Sequence, residues 1–327
     1  MATSPDSNDS RTQVLTENPS QKWLQRLSRR GRELAQLSAE LVLPSTCRLC
    51  DGCVPPGGDF CSQCSLRLDS SESAMRSACL RCGRPGAGAD RRGPCDHCRS
   101  KRLYFDRCIA LWTYDGLVRQ AVISSKYGSQ MPLADALGRR LALRVHAELS
   151  TIPLGPSREE TAFSDGPDDV AATAAARRGD LEAIPCYPDW VTAVPSHWLR
   201  RLHRGGGGCR IIATAVQRGL HRLLTEQYHA ASCRYCELLR PTRRIEKQAW
   251  LGEKERISNV KGAFRVRNSP ATRGRRRGWS DHLQGRTVLL IDDVITTGAT
   301  SNEIARVLKA AGAQHVVVAV IARALGR

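Results

Sequence analysis

Thr287-Val288-Leu289-Leu290-Ile291-Asp292-Asp293-Val294-Ile295-Thr296-Thr297-Gly298-Ala299-Thr300 decides how this chain folds. The run of branched apolar residues has the pattern of a strand buried on both faces. Two adjacent carboxylates stand where that strand is expected to end. A turn rich in Thr and Gly follows, and Ile304, Val307, Leu308 and Ala311 then repeat at helical spacing. Strand, loop and helix N-terminus together offer backbone N–H groups and hydroxyls to an anion. Asp292 and Asp293 can accept hydrogen bonds from vicinal hydroxyls just in front of that loop. A phosphate next to a diol describes a sugar phosphate.

Upstream of this motif, strands and helices alternate. Tyr104–Tyr114 alternates as a strand, and Leu117–Tyr127 and Pro132–Leu149 have helical spacing. Asp189–Val194 reads as a short buried strand, Ile211–Leu224 as a helix, Ile257–Val266 as a strand or hairpin, and His315–Ile321 as a last strand after Gly312 caps the preceding helix. The alternation predicts an α/β fold, a parallel sheet flanked by helices with ligands at the carboxyl ends of the strands. Two stretches break the pattern and are expected to be flexible insertions. Residues 155–183 carry seven acids and three Arg, and residues 268–281 include the basic run Arg273 and Arg275–Arg277. No G-x-x-x-x-G-K-[ST] accompanies the paired acids, which argues against a P-loop ATPase. No G-x-G-x-x-G follows a strand, which argues against a dinucleotide fold.

Ahead of the sheet lies a cysteine block. Cys47-x-x-Cys50 is followed by Cys61-x-x-Cys64, and Cys79-x-x-Cys82 by Cys95-x-x-Cys98. Each pair sets two thiolates on one side of a tight turn, and two such knuckles close a tetrahedral site suited to structural Zn²⁺. Spacing does not fix which knuckles pair. Cys53 and His97 lie close by and are expected not to be ligands, while Cys233-x-x-Cys236 lacks a second knuckle and reads as ordinary surface thiols. The expected organisation is a disordered segment over 1–20, an amphipathic helix over 21–43, a double zinc ribbon over 44–103, and the α/β domain over 104–327. In the helix, Trp23, Leu24, Leu27, Leu34, Leu37 and Leu41 form the apolar stripe, with packing on the next domain and a membrane surface as its alternative partners.

The 327 residues are 41% apolar and 25% charged, a globular composition with length for about two domains. The longest apolar runs fall short of the ~18 residues of a transmembrane helix. The polar N-terminus lacks a signal pattern, so a cytoplasmic location is expected. A net charge of +18 means an anionic partner, a phosphorylated substrate or only solubility. From His197 to Lys247 there are eleven Arg or Lys against three Glu. Pyrophosphate-facing candidates are Lys126, in Ser125-Lys126-Tyr127-Gly128, then Arg200 and Arg204 before the Gly205–Gly208 run, and Arg240 and Arg244. For Lys126 the plainer alternative is a helix C-cap. For the charged stretches it is a solvated face.

Val288–Thr300 resembles the phosphoribosyl-pyrophosphate signature of type I phosphoribosyltransferases. That resemblance implies that Asp292 and Asp293 hold the ribose hydroxyls, and that Thr296, Thr297, Gly298, Ala299 and Thr300 wrap the 5′-phosphate. It also implies Mg²⁺ bridging the pyrophosphate and ribose. The zinc knuckles, Lys126-Tyr127-Gly128, Val194-Pro195-Ser196, Arg204-Gly205, Leu239-Arg240-x-x-Arg243 with Gln248, Arg256 with Asn259-Val260, and Gly262-Ala263-Phe264 join that signature in a combination similar to the ComF competence-protein family, over roughly 44–150 and 184–327. The family resemblance implies a role in DNA uptake during natural transformation, with partners among the uptake machinery. Where that family usually has an aromatic, Asn and Gln, this chain has Gly206, Gly207 and Gly208, a departure that sets ligand binding apart from turnover. Any reaction would be pentosyl transfer that displaces pyrophosphate through positioning and electrostatics, with no side-chain nucleophile. The alternative is a non-catalytic scaffold that binds single-stranded DNA through its zinc ribbons and basic surface.

Overall fold

A computed structural model of the chain describes residues 45–55, 57–86, 94–151, 187–195, 207–228, 233–243, 253–267 and 279–325. The expected helix over 21–43, the segment over 1–20, the insertion over 155–183, and Arg200, Arg204 and Arg244 lie outside them. So does the insertion over 268–281 except its last three residues, which open a short helix. The chain divides into two compact units, 1–61 and 62–327. In the first, Thr46 and Cys53 form an antiparallel bridge, and the Cys47 N–H donates to the Gly52 carbonyl at 2.7 Å, closing the first knuckle turn.

The second unit runs α1 (Ser62–Met75), α2 (Asp96–Arg99), β1 (Arg107–Thr113), α3 (Gly116–Ser124), a 3₁₀ turn (Gly128–Gln130), α4 (Met131–Thr151), β2 (Trp190–Ala193), α5 (Gly208–Tyr228), β3 (Arg234–Tyr235), β4 (Leu239–Pro241), α6 (Glu253–Val260), β5 (Phe264–Val266), α7 (Trp279–Leu283), β6 (Thr287–Ile295), α8 (Ala299–Ala310) and β7 (His315–Arg323). Five strands form one parallel sheet in the order β1-β7-β6-β2-β3, and β4 pairs with β5 as a separate antiparallel ribbon. One row of paired residues crosses the sheet through Arg107, Val317, Leu289, Val191 and Tyr235. β7 is buried along its whole length and β6 over Thr287–Ile291, as a sheet covered on both faces requires. The sheet thus carries the signature strand near its centre, with its carboxyl end open to the loops.

On one face, α4 and α5 pack through small residues. A Cβ at Gly138 would lie 2.6 Å from the Ala215 Cβ, and one at Gly219 would lie 2.6 Å from the Ala142 Cβ. This close approach fixes the start of α5 relative to the end of α3, a point that matters at the site. On the other face, Val288, Leu290, Val316, Val318 and Val320 pack with Ile304 and Leu308 of α8 and with Cys79, Cys82 and Cys98.

Two expectations need correction. Ile257–Val266 is not a hairpin: residues up to Val260 belong to α6, with Ile257 53% exposed and Val260 1% exposed, and Gly262 at φ 69° ends the turn before β5. Nor are Cys233 and Cys236 surface thiols. Cys233 is buried beside α5, where Gln217 Nε2 donates to its carbonyl at 2.8 Å, and burial pushes its thiol up to about 12; Cys236 is half-buried. α1 also went unread, because its two innermost residues, Leu68 and Met75, are too far apart to make an obvious stripe.

The tight α4–α5 seam gives a direct test. Gly138→Val should destabilise the chain by about 2 kcal/mol or more in urea unfolding, because the neighbouring Ile212 carbonyl cannot rotate away. Leu143→Ala, on the exposed face of α4, should change stability by no more than about 0.5 kcal/mol.

Candidate functional site

β6 continues through the carboxylates to Ile295, so Asp292 and Asp293 stand on the last half of a central strand. Asp292 Oδ1 accepts from the Asp293 N–H at 2.9 Å, and Asp293 Oδ2 meets Lys126 Nζ at 2.8 Å. The structure therefore joins Lys126 to the carboxylate pair across 167 residues of sequence separation (293 minus 126). Burial, reinforced by the neighbouring charge of Asp293, pushes the Asp292 carboxyl up to about 8, against the pull of Lys126. Burial also opposes the Lys126 charge, but Asp293 and then Asp292 more than offset it and raise its pKa above the ordinary lysine value. The arrangement is a concentrated negative charge held by one removable cation.

The turn after β6 enters α8 through Gly298 at φ 83°, a left-handed conformation that a side chain would strain. The N-cap residue of α8 is Gly298, and Thr297 Oγ1 accepts from the Ala299 N–H at a long 3.4 Å. Helix dipole and backbone N–H groups therefore face the space above the turn. Two side chains of α8 anchor that helix end. Asn302 accepts from the Tyr104 N–H at 2.6 Å and donates to the Arg102 carbonyl at 3.0 Å. Glu303 accepts from the Gly262 N–H at 2.8 Å and pairs with Arg306 at 2.7 Å, and the Arg306 hydrogen bond holds its carboxyl below the usual range.

Lys126 owes its position to a glycine. Gly128 opens a 3₁₀ turn instead of taking a left-handed cap conformation, so a simple C-cap does not describe this segment. A Cβ at Gly208, the first residue of α5, would lie 2.3 Å from the Ser125 carbonyl oxygen and 3.3 Å from the Lys126 Cα. The helix start thus abuts the lysine segment, which only glycine permits. Next along, the Cys209 thiol donates to the Ile291 carbonyl at 3.2 Å; burial first, then Asp292 and Asp293, raise its pKa well above normal, so it stays a protonated wall.

Beside this wall is a cavity of about 390 Å³, bounded by Val194, Pro195, Gly207, Cys209, Tyr235 and Glu237 among others. The volume suits a small organic molecule. Tyr235 Oη is buried there without a hydrogen-bond partner, and Glu237 faces Arg267 at 3.3 Å and Arg210 at 3.6 Å. Arg240 lies on β4 between two residues that line the cavity, Leu239 and Pro241, with its Nε unpartnered. Sequence reading missed Tyr235, Glu237 and the role of Gly208. Each acts across long sequence separations and has no local pattern.

The cysteines assemble as two sets in sequence order, Cys47, Cys50, Cys61 and Cys64, then Cys79, Cys82, Cys95 and Cys98, with the four sulfur atoms of each set within 4.8 Å of one another. In the second, Cys82–Cys95, Cys95–Cys98 and Cys79–Cys98 are 3.6, 3.8 and 3.9 Å apart. Tetrahedral Zn–S bonds of about 2.3 Å give S···S edges of about 3.8 Å, so both sets have the shape to hold a zinc ion. The hydrogen bond that Cys79 shares with Cys82 lowers the Cys79 thiol and raises that of Cys82. Neither Cys53 nor His97 belongs to a set; His97 instead contacts Arg84 at 3.0 Å and Lys101 at 3.4 Å.

Gly208→Ala should displace Lys126, lowering stability by about 1–3 kcal/mol in urea unfolding. The raised Asp292 carboxyl gives a pH signature. Between its ordinary value of 3.8 and about 8 the folded chain retains a proton that the unfolded chain releases, so wild-type stability should fall as pH rises through that window. Asp292→Asn should remove that slope, its advantage growing by about 4 kcal/mol between pH 5 and pH 9 in denaturant titrations.

Comparison with known proteins adds the lineage. The phosphoribosyl transferase domain family matches residues 265–327, which contain the turn and both carboxylates. DNA utilization protein YhgH of Escherichia coli K12 is 26% identical over 87% of this chain and 100% of its own length. Competence protein F of Haemophilus influenzae is 27% identical over 42% of this chain and 51% of its own length. A solved glutamine phosphoribosylpyrophosphate amidotransferase from B. subtilis aligns at 15% identity over 61% of this chain and 30% of that one, with a TM-score of 0.29, too slight to argue from. Among the described residues no helix is long and apolar enough to cross a membrane. A parallel sheet, the phosphoribosyl transferase match at its signature strand and these relatives together support a phosphoribosyltransferase-like protein similar to the ComF family.

Proposed function

We propose that the carboxyl end of β6 binds phosphoribosyl pyrophosphate or a closely related phosphoribosyl ligand, and that the protein serves DNA uptake or utilisation. The observation that carries the ligand reading is the Lys126–Asp293 contact beside a half-buried Asp292, directly ahead of the N-terminus of α8. Asp292 and Asp293 accept from the ribose hydroxyls, and Thr296, Thr297, Gly298, Ala299 and Thr300 surround the 5′-phosphate. Lys126 exchanges Asp293 for the pyrophosphate, where Arg200, Arg204, Arg240 and Arg244 are further candidates. Mg²⁺, arriving with the ligand, neutralises pyrophosphate oxygens. The cavity by Tyr235 and Glu237 is placed to take a small acceptor, and any transfer would rely on orientation and charge. The DNA link rests on the names of the relatives and on the net charge of +18. Each cysteine set holds one structural Zn²⁺, whose binding contributes directly to folding.

Calorimetry with phosphoribosyl pyrophosphate and Mg²⁺ tests the ligand. The wild type should bind, Asp292→Asn/Asp293→Asn should abolish measurable binding, and Lys126→Met should weaken it about tenfold, the loss of one charge-assisted contact worth about 1.5 kcal/mol. A wild type that shows no heat of binding rejects the reading. Metal analysis of the purified chain should give two Zn per chain, and fewer than one rejects the zinc assignment.

A further inference from the structure

Arg323 ends β7 at a place where a charge is hard to keep. It is 3% exposed, and its Nε has no hydrogen-bond partner. Its backbone is engaged, with the Tyr114 N–H donating to its carbonyl at 2.8 Å. Other sequestered cations of the unit are answered by carboxylates: Arg144 meets Glu148 at 2.7 Å and Lys309 meets Asp106 at 3.0 Å. Among the described residues no carboxylate pairs with Arg323. A guanidinium so buried needs a counter-charge.

The surroundings supply one. Arg323 shares a cavity of about 10 Å³ with Cys82, Cys98, His97, Lys101, Thr297 and Gly298, on the order of one water molecule in size. The Cys108 thiol, buried on β1, feels the charges of both Arg323 and Cys79, so the guanidinium and the cysteine set act on the same few atoms. The set is seated rigidly against that strand: the Cys108 N–H donates to the Leu80 carbonyl at 2.8 Å, and a Cβ at Gly83 would lie 2.8 Å from Cys108 Sγ. A divalent ion in four thiolates leaves two net negative charges. Thr297 and Gly298, which also line this cavity, belong to the turn proposed to face an anion.

We propose that Arg323 is the buried counter-cation of the metal-loaded Cys79–Cys82–Cys95–Cys98 centre, and that it stands between this anionic centre and the turn at Thr297–Gly298. This rests on the zinc reading above. The residue positions and balances charge; it is neither a zinc ligand nor a catalytic group.

The test uses the full-length, zinc-loaded chain, a chelator, and N-ethylmaleimide labelling resolved by peptide mass spectrometry. In Arg323→Met, the chelator should expose Cys79, Cys82, Cys95 and Cys98 at least tenfold faster than in wild type. Cys47, Cys50, Cys61 and Cys64 serve as an internal control and should keep the wild-type rate. Arg323→Lys, which keeps the charge, should stay within threefold of wild type at both sets. Wild-type labelling rates for the second set in Arg323→Met overturn the proposal, as does equal acceleration of both sets. If Arg323→Met does not fold, Arg323→Lys decides: release within threefold supports the counter-charge, and release tenfold faster overturns it. A wild type with no zinc in the second set overturns this proposal together with the zinc reading, whereas failure of phosphoribosyl pyrophosphate to bind bears only on the ligand.

Discussion

Two carboxylates cannot sit side by side at the buried end of a central strand unless something answers their charge. Here Lys126 answers it at 2.8 Å, and much of the architecture serves to keep that lysine in place. Its segment follows α3 directly, and the start of α5 closes over it at Gly208. The close Gly138–Ala215 and Gly219–Ala142 approaches in turn hold α5 to α4. Small residues far from the carboxylates thus set the position of one ammonium group. A fully satisfied ion pair would be inert. This one is poised, because Asp292 keeps a raised pKa even with the lysine present and further positive charge would be welcome.

The cysteine sets belong to the same economy of small spaces. In a module with few apolar side chains, metal closure supplies the order that a core would otherwise provide. The second set does more than close a loop. Cys79, Cys82 and Cys98 pack in the same cluster as Leu290, Val318 and Ile304, so the thiols form part of the wall behind the signature strand and α8. Asn302 then ties the chain leaving the second knuckle to the first turn of α8 at 2.6 and 3.0 Å. The turn proposed to face an anion is backed by the element that would hold the metal.

The legible features were those whose physics is local. A doubly buried strand, a glycine at positive φ and a C-x-x-C turn each declare themselves within a few residues, so β6, the turn at Gly298 and both cysteine sets could be read directly, although the pairing of the knuckles needed coordinates. What escaped reading depended on distant partners. Lys126 had two competing roles until Asp293 was seen beside it. Cys233 seemed a surface thiol because no second knuckle stands near it, yet it is buried beside α5. Ile257 and Val260 suggested a strand because apolar residues three apart suit either element when so few are present. Arg323 is at the end of an apolar strand, where a terminal arginine reads as solvated, and only packing reveals that it is enclosed.

The glycine run changes meaning in this light. Read as sequence, Gly206, Gly207 and Gly208 are side chains lost from a ligand-facing loop. Gly208, however, has a steric duty that is independent of any ligand, since even a methyl group there would strike the Ser125 carbonyl. A bulky polar residue could stand at 208 only if α5 began farther from Lys126, and the lysine would then have to reach Asp293 from another position. Gly207 lines the cavity beside Tyr235 and Glu237, so its missing side chain enlarges the space next to the carboxylates. The same substitutions that remove potential ligand contacts therefore tighten one wall of the site and widen another. The run exchanges side-chain recognition for backbone proximity, and specificity shifts to the groups that remain at the cavity wall: one unpartnered phenol and one carboxylate between two guanidinium groups.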